Sequence, residues 1–482
     1  MQALPDLSQL SHADKDELIK LLWNQVQQLT AQVTAMQAQI VQLQGQLARN
    51  SRNSSKPPSS DGLNKPKPKS LRKAGQRPTG GQKGHPGATL RQVAQPDEIV
   101  RHAPPLQCDH CQRRLGASTL AEVRQVFELP RLRMQVTEHQ VLQAQCSCGQ
   151  THRGQFPSDV AAHVQYGPSA LAAMVYLNQH HMLPVQRTAR LMSELFALPA
   201  SQATVIKASE QARQHLSATV QAIGQHLQAS AVVHADETGL RVAKKLHWMH
   251  VLATELLTWT ARHDKRGGQA FKELGLLPGF KGVLVHDGWK PYRALECSHA
   301  LCNAHHLREL TYVFEEIGQP WAGEMIELLS RASHLDRARW ADGTPDYDSV
   351  PSLLQAQGLY DEYMHLLERG ERANPRAPAT GKRGGTKQSF AANLLSRLRE
   401  YAEDVWRFMS EPAVPFTNNV AEQAVRMPKV KQKVSGCFRT TEGADTFCVI
   451  RSYLATMHKQ GAHLFDALVS TFQGAPAQPR FA

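Results

Sequence analysis

The chain has 482 residues, 41% of them hydrophobic, and its 55 Lys and Arg against 42 Asp and Glu give a net charge of +13. This length accommodates about three domains, whereas no apolar run approaches the ~20 residues of a membrane span. The N-terminus lacks the basic segment and following apolar segment of a secretory signal, so we expect a cytoplasmic protein without a membrane partner. The positive balance indicates a polyanionic partner.

A heptad pattern occupies the N-terminal region. Apolar residues recur there at alternating steps of four and three, at Leu22, Val26, Leu29, Val33, Met36, Ile40, Leu43 and Leu47. Such a seam predicts a coiled coil within residues 1–48, and therefore a homodimer or higher oligomer. A lone helix docked on the body of the protein is the alternative.

The next segment changes character. Residues 49–83 carry ten Lys or Arg against the single acid Asp61 and are rich in Pro, Gly and Ser. This composition predicts a flexible basic arm over residues 49–100, for which nucleic-acid phosphate is the natural partner. The alternative is a linker that only aids solubility. The candidate DNA contacts in this arm are Lys67, Lys69, Arg72 and Lys73.

Two cysteine pairs predict a zinc-ribbon-like β module over residues 101–160. Eight cysteines in a cytosolic chain favour metal binding or core packing over disulfides. The apolar alternation of residues 122–145, between the pairs, predicts a β-hairpin. Because the second pair is one residue short, His110 and His152 are substitute ligands, and reduced structural cysteines are the alternative. The candidate ligands of one structural Zn²⁺ are Cys108, Cys111, Cys146 and Cys148.

Helical patterns separated by Pro-containing turns fill residues 165–225, with Ser201 as an expected N-cap. Short helices joined in this way are compatible with a helix-turn-helix unit whose last helix enters a major groove. Three-helix packing without a DNA role is the alternative.

Strands dominate residues 229–294. AVVHAD, LHWMHVLAT and ELLTWTAR predict three consecutive strands, QAFKELGLL predicts a crossover helix, and KGVLVHD predicts a strand parallel to the first. This order predicts an α/β core of the ribonuclease H-like type, in which the first and fourth strands are neighbours. Residues 295–410 are expected to form a large all-α insertion, because that span is too long for a loop. Residues 411–470 would then complete the core, and residues 471–482 would form a tail.

Three acidic residues occur in three different settings. Asp236 ends the run AVVHAD, Asp287 ends GVLVHD, and Glu422 falls in the first turn of a helix that Asn418 or Asn419 should cap. Two strand-end carboxylates and a third from a helix can hold two Mg²⁺ or Mn²⁺ ions ~4 Å apart for phosphoryl transfer on DNA. For any one acid alone, a turn or capping role is the alternative.

Cations follow Glu422 closely. Arg426 lies one turn further along the same helix face, where it could hold a phosphate. Pro428 is expected to kink or end that helix, which would leave a basic segment running away from the acids. The predicted DNA track comprises Arg426, Lys429, Lys431, Lys433 and Arg439.

Residues near the three acids are assigned other roles. The indole of Trp289 could stack on an unpaired base, with core packing as the alternative. Glu237 should point to the opposite strand face, which leaves Asp236 as the preferred ligand. Cys302-x-x-His305 is interpreted as packing that anchors the insertion, because two ligands do not make a zinc site. A role in DNA handling is the alternative for that pair.

The motifs together resemble a known family. NSSKPPSSDG, the cysteine pairs, HADETGLRV, VHDGWKPY, LCNAHHLREL, TNNVAEQAVR and SGCFRT occur in the order found in bacterial transposases of the insertion-sequence-66 family. The resemblance extends from the N-terminal helix almost to the C-terminus. It implies a DDE transposase with Asp236, Asp287 and Glu422 as the carboxylate triad and a zinc-binding domain formed by the cysteines. The short Cys146-x-Cys148 pair departs from a double Cys-x-x-Cys.

The implied reaction is metal-assisted hydrolysis at the ends of an insertion sequence, which releases 3′ hydroxyls, followed by their in-line attack on target DNA. The implied partners are double-stranded DNA, a second copy of the chain and small co-encoded accessory proteins. The protein would be nucleoid-associated when bound to DNA. The alternatives are a catalytically inactive zinc-containing DNA-binding protein and a structure-specific nuclease of the same fold.

Overall fold

A computed structural model of the chain describes residues 11–54, 61, 90–129, 132, 134–341, 350–378 and 386–481. These residues form two compact units. The smaller unit contains the described residues between 68 and 161 together with residues 190–200, and the larger unit contains the others. In the described part of the chain, no helix is both long enough and apolar enough to span a bilayer.

The predicted N-terminal helix is confirmed as α1, His12–Leu47. All eight residues of the heptad seam are exposed, from 47% at Val33 to 86% at Leu47. The described part of the chain therefore leaves a continuous apolar stripe on α1 uncovered.

The β-hairpin predicted between the cysteine pairs is wrong. The described residues from 115 to 142 contain no strand, and the antiparallel strands β1 (Gln143–Gln145) and β2 (Thr151–Arg153) enclose the second cysteine pair instead. Apolar alternation predicts which side chains share a face, but it does not supply a backbone partner. Val126 and Leu129, for example, are 89% and 82% exposed.

The helices predicted between residues 165 and 225 are confirmed. They are α2 (Pro168–Val175), a π-helical turn (Tyr176–His180), α3 (Val185–Phe196) and α4 (Gln202–Ala229). Ser201 caps α4 as expected, because its hydroxyl accepts a hydrogen bond from the Thr204 backbone N–H at 3.1 Å.

A five-stranded mixed sheet with strand order β5-β4-β3-β6-β7 lies at the centre of the larger unit. Its elements in chain order are β3 (Val232–Val242), β4 (Lys245–Ala253), β5 (Thr258–His263), the crossover helix α5 (Gly268–Leu274), β6 (Val283–His286) and β7 (Ser298–Leu301). Strands β3, β4 and β5 are antiparallel neighbours, whereas β6 is parallel to β3 and to β7. The predicted side-by-side position of the first and fourth strands is confirmed by the pairing of His234 with Val285. Ile223 and Leu227 of α4 pack on this sheet.

The predicted start of the all-α insertion of residues 295–410 is too early. Ser298–Leu301 forms β7, whose Ala300 pairs with Val285 of β6. This strand has only four residues, two of them polar, so its identity depends on its hydrogen bonds to β6 rather than on a local pattern. The helices that follow are α6 (Asn303–Glu315), α7 (Pro320–Ala341), α8 (Val350–Ala373), α9 (Phe390–Glu400) and α10 (Ala402–Ser410). They share one apolar core with β6 and β7.

The chain that follows α1 is anchored on these helices. The guanidinium of Arg49 lies 4.3 Å from the ring centre of Phe390, Arg52 forms an ion pair with Glu315, and Asn53 is fully buried. The first residues of the predicted flexible arm are therefore held in place. The candidate DNA contacts Lys67, Lys69, Arg72 and Lys73 lie outside the described residues.

The last helices are α11 (Asn419–Ser435), α12 (Thr441–Lys459) and α13 (Leu464–Phe472). Helices α11 and α12 pack on the sheet, whereas α13 packs on α2 and α4. The predicted end of the helix at Pro428 is wrong, because α11 continues through this residue, and the alternative, a kink there, stays a prediction. Ala421 and Val425 pack with Leu240 and Met249 of the sheet. This burial offsets the cost of about 3 kcal/mol that an interior proline imposes on a helix.

Candidate active site

Asp236 and Asp287 occupy matching positions on two neighbouring strands. Each lies two residues beyond the paired residues His234 and Val285. Because β3 and β6 are parallel and adjacent strands are about 4.8 Å apart, the two carboxylates lie side by side where β6 ends.

The local backbone orients both carboxylates. Asp236 Oδ1 accepts a hydrogen bond from the backbone N–H of Glu237 at 2.8 Å, and Asp287 Oδ1 accepts one from the N–H of Trp289 at 2.8 Å. Gly288 adopts a φ of +87°, which permits the sharp turn directly after Asp287. Among the described residues, the second oxygen of each aspartate has no hydrogen-bond partner, so it is available to a ligand.

The third acid lies within electrostatic reach of the first two. Burial raises the pKa of Asp236 well above its usual value, and the negative charges of Glu237, Asp287 and Glu422 raise it further. No Arg or Lys in the described part of the chain forms an ion pair with Asp236, Asp287 or Glu422. The three carboxylates therefore form a buried or half-buried acidic group whose charge is not neutralised by a basic side chain.

Asn418 connects helix α11 to strand β3. Its Nδ2 donates to the carbonyl of Ala235 at 2.8 Å, and its Oδ1 lies 2.8 Å from His234 Nδ1. Asn418 is the N-cap residue, as predicted, but its side chain makes no capping bond because both of its polar ends bind β3. The amide thereby holds the first turn of α11, and Glu422 with it, against the strand that carries Asp236.

Glu237 is bound by other side chains of the same unit. Its carboxylate forms an ion pair with Arg266 at 2.6 Å and accepts a hydrogen bond from the Tyr292 hydroxyl. The Arg266 guanidinium lies 4.7 Å from the ring centre of Trp248 and 4.0 Å from that of Trp289. Glu237 is therefore bound by Arg266 and Tyr292, and the choice of Asp236 as the ligand stays a prediction.

Trp289, the candidate base-stacking residue, is partly buried. Its ring packs edge-on against Phe271 and Tyr292, with ring centres 6.4 and 5.8 Å apart, and lies under Arg266. Core packing accounts for these contacts, and stacking on DNA stays a prediction.

The five cations of the predicted DNA track differ in their surroundings. Lys429 Nζ donates to the carbonyl of Gly239 at 2.6 Å. Lys431 Nζ lies 5.5 Å from the ring centre of Phe438, and burial lowers its pKa to about 8. These two lysines are therefore engaged by the protein itself. The cations that are exposed and form no hydrogen bond or ion pair with other described residues are Arg426, Lys433 and Arg439.

Each predicted zinc-binding pair lies in a hydrogen-bonded turn of the smaller unit. Hydrogen bonds from the backbone of Cys111 lower the pKa of the Cys108 thiol, and those from the backbone of Cys148 lower the pKa of the Cys146 thiol. Across the described residues, no three of these four sulfur atoms lie within 4.8 Å of one another. Zinc binding by these cysteines stays a prediction.

The sequence does not predict one further group of ligand atoms. A sulfur, a ring nitrogen and a carboxylate oxygen from Cys302, His305 and Glu422 all lie within 4.8 Å of one another. The Cys-x-x-His spacing was the available signal. Glu422 joins the pair only because β7 brings Cys302 to the edge of the sheet where α11 begins. Burial raises the pKa of Cys302 to about 12 and lowers that of His305 to about 3, so both are neutral at pH 7.

Comparison with known proteins gives the family. The sequence profile of the Transposase IS66 family matches residues 163–446, more than half of the chain, and this range contains Asp236, Asp287 and Glu422. A family of unknown function, DUF6444, matches residues 2–91. The uncharacterized protein y4jD of Sinorhizobium fredii (strain NBRC 101917 / NGR234) is 22% identical over 213 residues, which are 41% of this chain and 39% of that protein. Because the family profile covers most of the larger unit, including its sheet and α11, this chain belongs to the IS66 family of transposases.

Proposed function

We propose that the protein is a DDE transposase that binds the ends of an insertion sequence, cleaves the DNA there and joins the 3′ hydroxyl ends to target DNA. The observation that carries this proposal is the convergence of Asp236, Asp287 and Glu422, from β3, β6 and α11, with no basic side chain among the described residues paired to them. Such a group suits a catalyst that uses divalent cations, whereas a DNA-binding regulator has no need of it.

We assign the sheet to the ribonuclease H-like type. Three antiparallel strands are followed by two parallel ones in the order β5-β4-β3-β6-β7. Asp236 lies in β3, the first strand of this sheet in chain order, and Asp287 directly follows β6, the fourth. The helices α6 to α10 lie between the last strand and the helix that carries Glu422. This arrangement supports a catalytic core interrupted by an all-α insertion.

The three carboxylates would hold two Mg²⁺ or Mn²⁺ ions. Oxygen ligands suit these hard cations, and the raised pKa of Asp236 fits the assignment because neighbouring buried anions repel each other unless a cation is bound. When bound, the ions would activate the attacking oxygen and stabilise the leaving oxygen of the phosphodiester. The same chemistry serves water in the cleavage step and a 3′ hydroxyl in the joining step.

The residues around this group would position it and the DNA. Asn418 fixes the start of α11 relative to β3, so that Glu422 keeps its place beside the aspartates. Arg426 is exposed one turn beyond Glu422, where its guanidinium could bind a DNA phosphate. Lys433 and Arg439 would extend this contact along the DNA backbone.

The two cysteine turns of the smaller unit are the proposed donor set for one structural Zn²⁺. Each turn lowers the pKa of one thiol, which favours the thiolate that a zinc ligand requires. The turns would have to approach each other to complete a four-ligand site, since no three of their sulfur atoms are within 4.8 Å. Zinc binding would therefore be coupled to the folding of this unit.

The exposed seam of α1 would pair two copies of the chain, so that both ends of the element are processed in one complex. The other proposed partners are the transposon ends and target DNA, with small co-encoded proteins as accessories. The complex would act in the cytoplasm on the nucleoid.

The test is a plasmid transposition assay. A marker flanked by the terminal sequences of the gene's own locus would be supplied with the co-encoded proteins and with wild type, Glu422→Gln or Glu255→Gln. Glu255 is an exposed carboxylate in the β4–β5 turn, beyond the last residue of β4, and serves as the matched control because it forms no part of the acidic group. We expect the marker to move with wild type and with Glu255→Gln but not with Glu422→Gln.

The alternative functions give different results in the same system. Specific binding to the ends, without Mg²⁺-dependent cleavage, would favour a DNA-binding regulator. Cleavage of the ends without joining to target DNA would favour a structure-specific nuclease.

A further inference from the structure

Cys302 lies where strand β7 ends, beside the proposed catalytic group. Its Sγ lies 3.6 Å from Glu422 Oε1 and accepts a hydrogen bond from the backbone N–H of Asn418 at 3.2 Å. His305, in the first turn of α6, points its Nδ1 at the same carboxylate oxygen over 3.8 Å. Two residues that are close in sequence and a third that lies 120 residues beyond Cys302 thus direct a sulfur, a nitrogen and an oxygen at one point.

The ring nitrogen of His305 is a second sign of a ligand. Its Nδ1 is buried and has no hydrogen-bond partner in the described part of the chain, because 3.8 Å to Glu422 is too long for a hydrogen bond. A buried polar atom of this kind normally has a partner in a folded protein. A metal ion between the three side chains would supply that partner.

The distances suit a tetrahedral ion. Bonds of roughly 2.0–2.3 Å from zinc to oxygen, nitrogen and sulfur hold two ligand atoms about 3.3–3.5 Å apart. The separations of 3.6 Å from sulfur to oxygen and 3.8 Å from nitrogen to oxygen need to shorten only slightly.

We propose that Cys302, His305 and Glu422 form a binding site for one Zn²⁺ ion, in addition to the zinc site proposed for the cysteines of the smaller unit. Thiolate and imidazole ligands select zinc over Mg²⁺, which prefers oxygen. Binding releases the thiol proton of Cys302 to solvent, and the N–H of Asn418 stabilises the resulting thiolate. Three protein ligands leave the fourth position of the ion open.

The site shares Glu422 with the proposed magnesium group. This part of the inference rests on the proposed function, in which Glu422 serves the Mg²⁺ ions. Zn²⁺ at Cys302 and His305 takes the carboxylate away from those ions, so Zn²⁺ inhibits DNA cleavage by the wild-type protein and excess Mg²⁺ only partly reverses the inhibition.

Binding is tested with Co²⁺, a spectroscopic substitute for Zn²⁺, on metal-free full-length protein. The background variant replaces Cys108, Cys111, Cys146 and Cys148 with Ser, so that the only thiols left are Cys297, Cys302, Cys437 and Cys448. We expect one Co²⁺ per chain with a thiolate-to-metal absorption band, and quantitative displacement of that Co²⁺ by Zn²⁺.

Two substitutions in this background test Cys302 and His305 as ligands, and a third is the control. Cys302→Ser removes the absorption band, and His305→Gln weakens Co²⁺ binding at least about 10-fold. Cys437→Ser is the thiol control, because Cys437 is exposed and outside the group, and it leaves the band unchanged. Circular dichroism of each variant verifies that it is folded. If Cys302→Ser does not fold, the weaker Co²⁺ binding of His305→Gln still tests the site.

The outcomes separate this inference from the proposed function. A background variant without a thiolate band, or a band that survives Cys302→Ser in a folded protein, overturns the zinc site. Asp236→Asn should abolish DNA cleavage while leaving the Co²⁺ band intact. A Cys302-dependent Co²⁺ band in the background variant, together with a wild-type protein that never cleaves DNA, would keep the zinc site and remove the proposed function.

Discussion

The side-chain amide of Asn418 bridges helix α11 and strand β3, with its oxygen 2.8 Å from His234 Nδ1 and its nitrogen 2.8 Å from the carbonyl of Ala235. Both bonds reach the strand immediately before Asp236. The fold thus uses one buried amide to set the distance between the carboxylate of a strand and that of a helix. The same amide occupies the N-cap position of α11 without using its side chain for capping.

Replacing Asn418 with Ala should reduce both stability and activity. The change leaves His234 Nδ1 and the Ala235 carbonyl unpaired, which should lower the free energy of unfolding by about 1–3 kcal/mol. DNA cleavage should fall further than this loss of folded protein explains, because Glu422 loses its fixed position. Urea unfolding and a cleavage assay at saturating Mg²⁺ measure the two effects.

Asn419→Ala is the control for that experiment. Asn419 is the adjacent residue but is exposed, so its replacement should change stability by less than about 0.5 kcal/mol. Equal effects of the two substitutions would show that the bridge to β3 is not what holds Glu422.

Single replacement of Asp236, Asp287 or Glu422 by its amide should abolish catalysis and spare DNA binding. We expect cleavage and strand transfer to fall together by at least about 10³-fold, because one group of carboxylates serves both steps. DNA affinity should change little in metal-free buffer. Gel-based cleavage, strand-transfer and binding assays with Glu255→Gln as the control measure this split, and a variant that loses only one of the two reactions would contradict a shared site.

The protein should lose stability in mild acid, partly through His250. This side chain is 5% exposed, and burial lowers its pKa to about 4, below the ordinary value of 6.5. Between these values the unfolded chain binds the proton and the folded chain does not, so the contribution is present above pH 6.5 and is lost as the pH falls towards 4. For this group the loss is on the order of 2–3 kcal/mol.

His250→Gln tests that contribution. The amide keeps a donor for the carbonyl of Lys265, which His250 Nε2 contacts at 3.2 Å, but it does not titrate. The fall in unfolding free energy between pH 6.5 and 4 should be shallower in this variant than in wild type. His463→Gln, at an exposed position, should leave the dependence of the unfolding free energy on pH as it is in wild type. If His250→Gln also leaves this dependence unchanged, the contribution assigned to His250 is refuted.

The exposed seam of α1 should mediate self-association. Leu29→Asp with Ile40→Asp places charges in the apolar stripe and should convert the oligomer to a monomer, as measured by sedimentation equilibrium. Gln28→Asp with Thr34→Asp adds the same charges at exposed positions outside the seam and should leave association unchanged. A seam variant that still dimerises and transposes would exclude the coiled coil as the pairing element.

The cations of α11 and of the segment that follows it should not contribute equally to DNA binding. Lys433→Ala and Arg439→Ala remove exposed charges, so each should weaken binding to all DNA sequences and reduce the slope of log affinity against log salt by about one. Lys431→Ala should leave the slope unchanged, because its ammonium group is half-buried over the Phe438 ring. Fluorescence anisotropy at several salt concentrations distinguishes these cases, and equal slope changes for all three would place Lys431 on the DNA.

The local sequence pattern determined many of the helices and strands of this protein. The heptad spacing predicts α1, and the apolar runs before Asp236 and Asp287 predict two strands that are buried and parallel. Ser201 marks the start of α4 because a hydroxyl at an N-cap satisfies a free backbone N–H. These features depend on residues close in sequence, whose spacing decides which face of a helix or strand is apolar.

Only the tertiary structure decided the remainder. Strand β7 exists through its hydrogen bonds to β6, and Pro428 stays helical because α11 is packed on the sheet. In the segment predicted as a hairpin, the described residues from 122 to 142 form no strand, and Gln143–Gln145 pairs with Thr151–Arg153, which lies beyond that segment. The group of Cys302, His305 and Glu422 likewise forms only when β7 and α11 meet at one edge of the sheet. The physical reason is that backbone pairing and side-chain convergence are made between residues far apart in the chain, and sequence spacing carries no information about which distant partner will be adjacent.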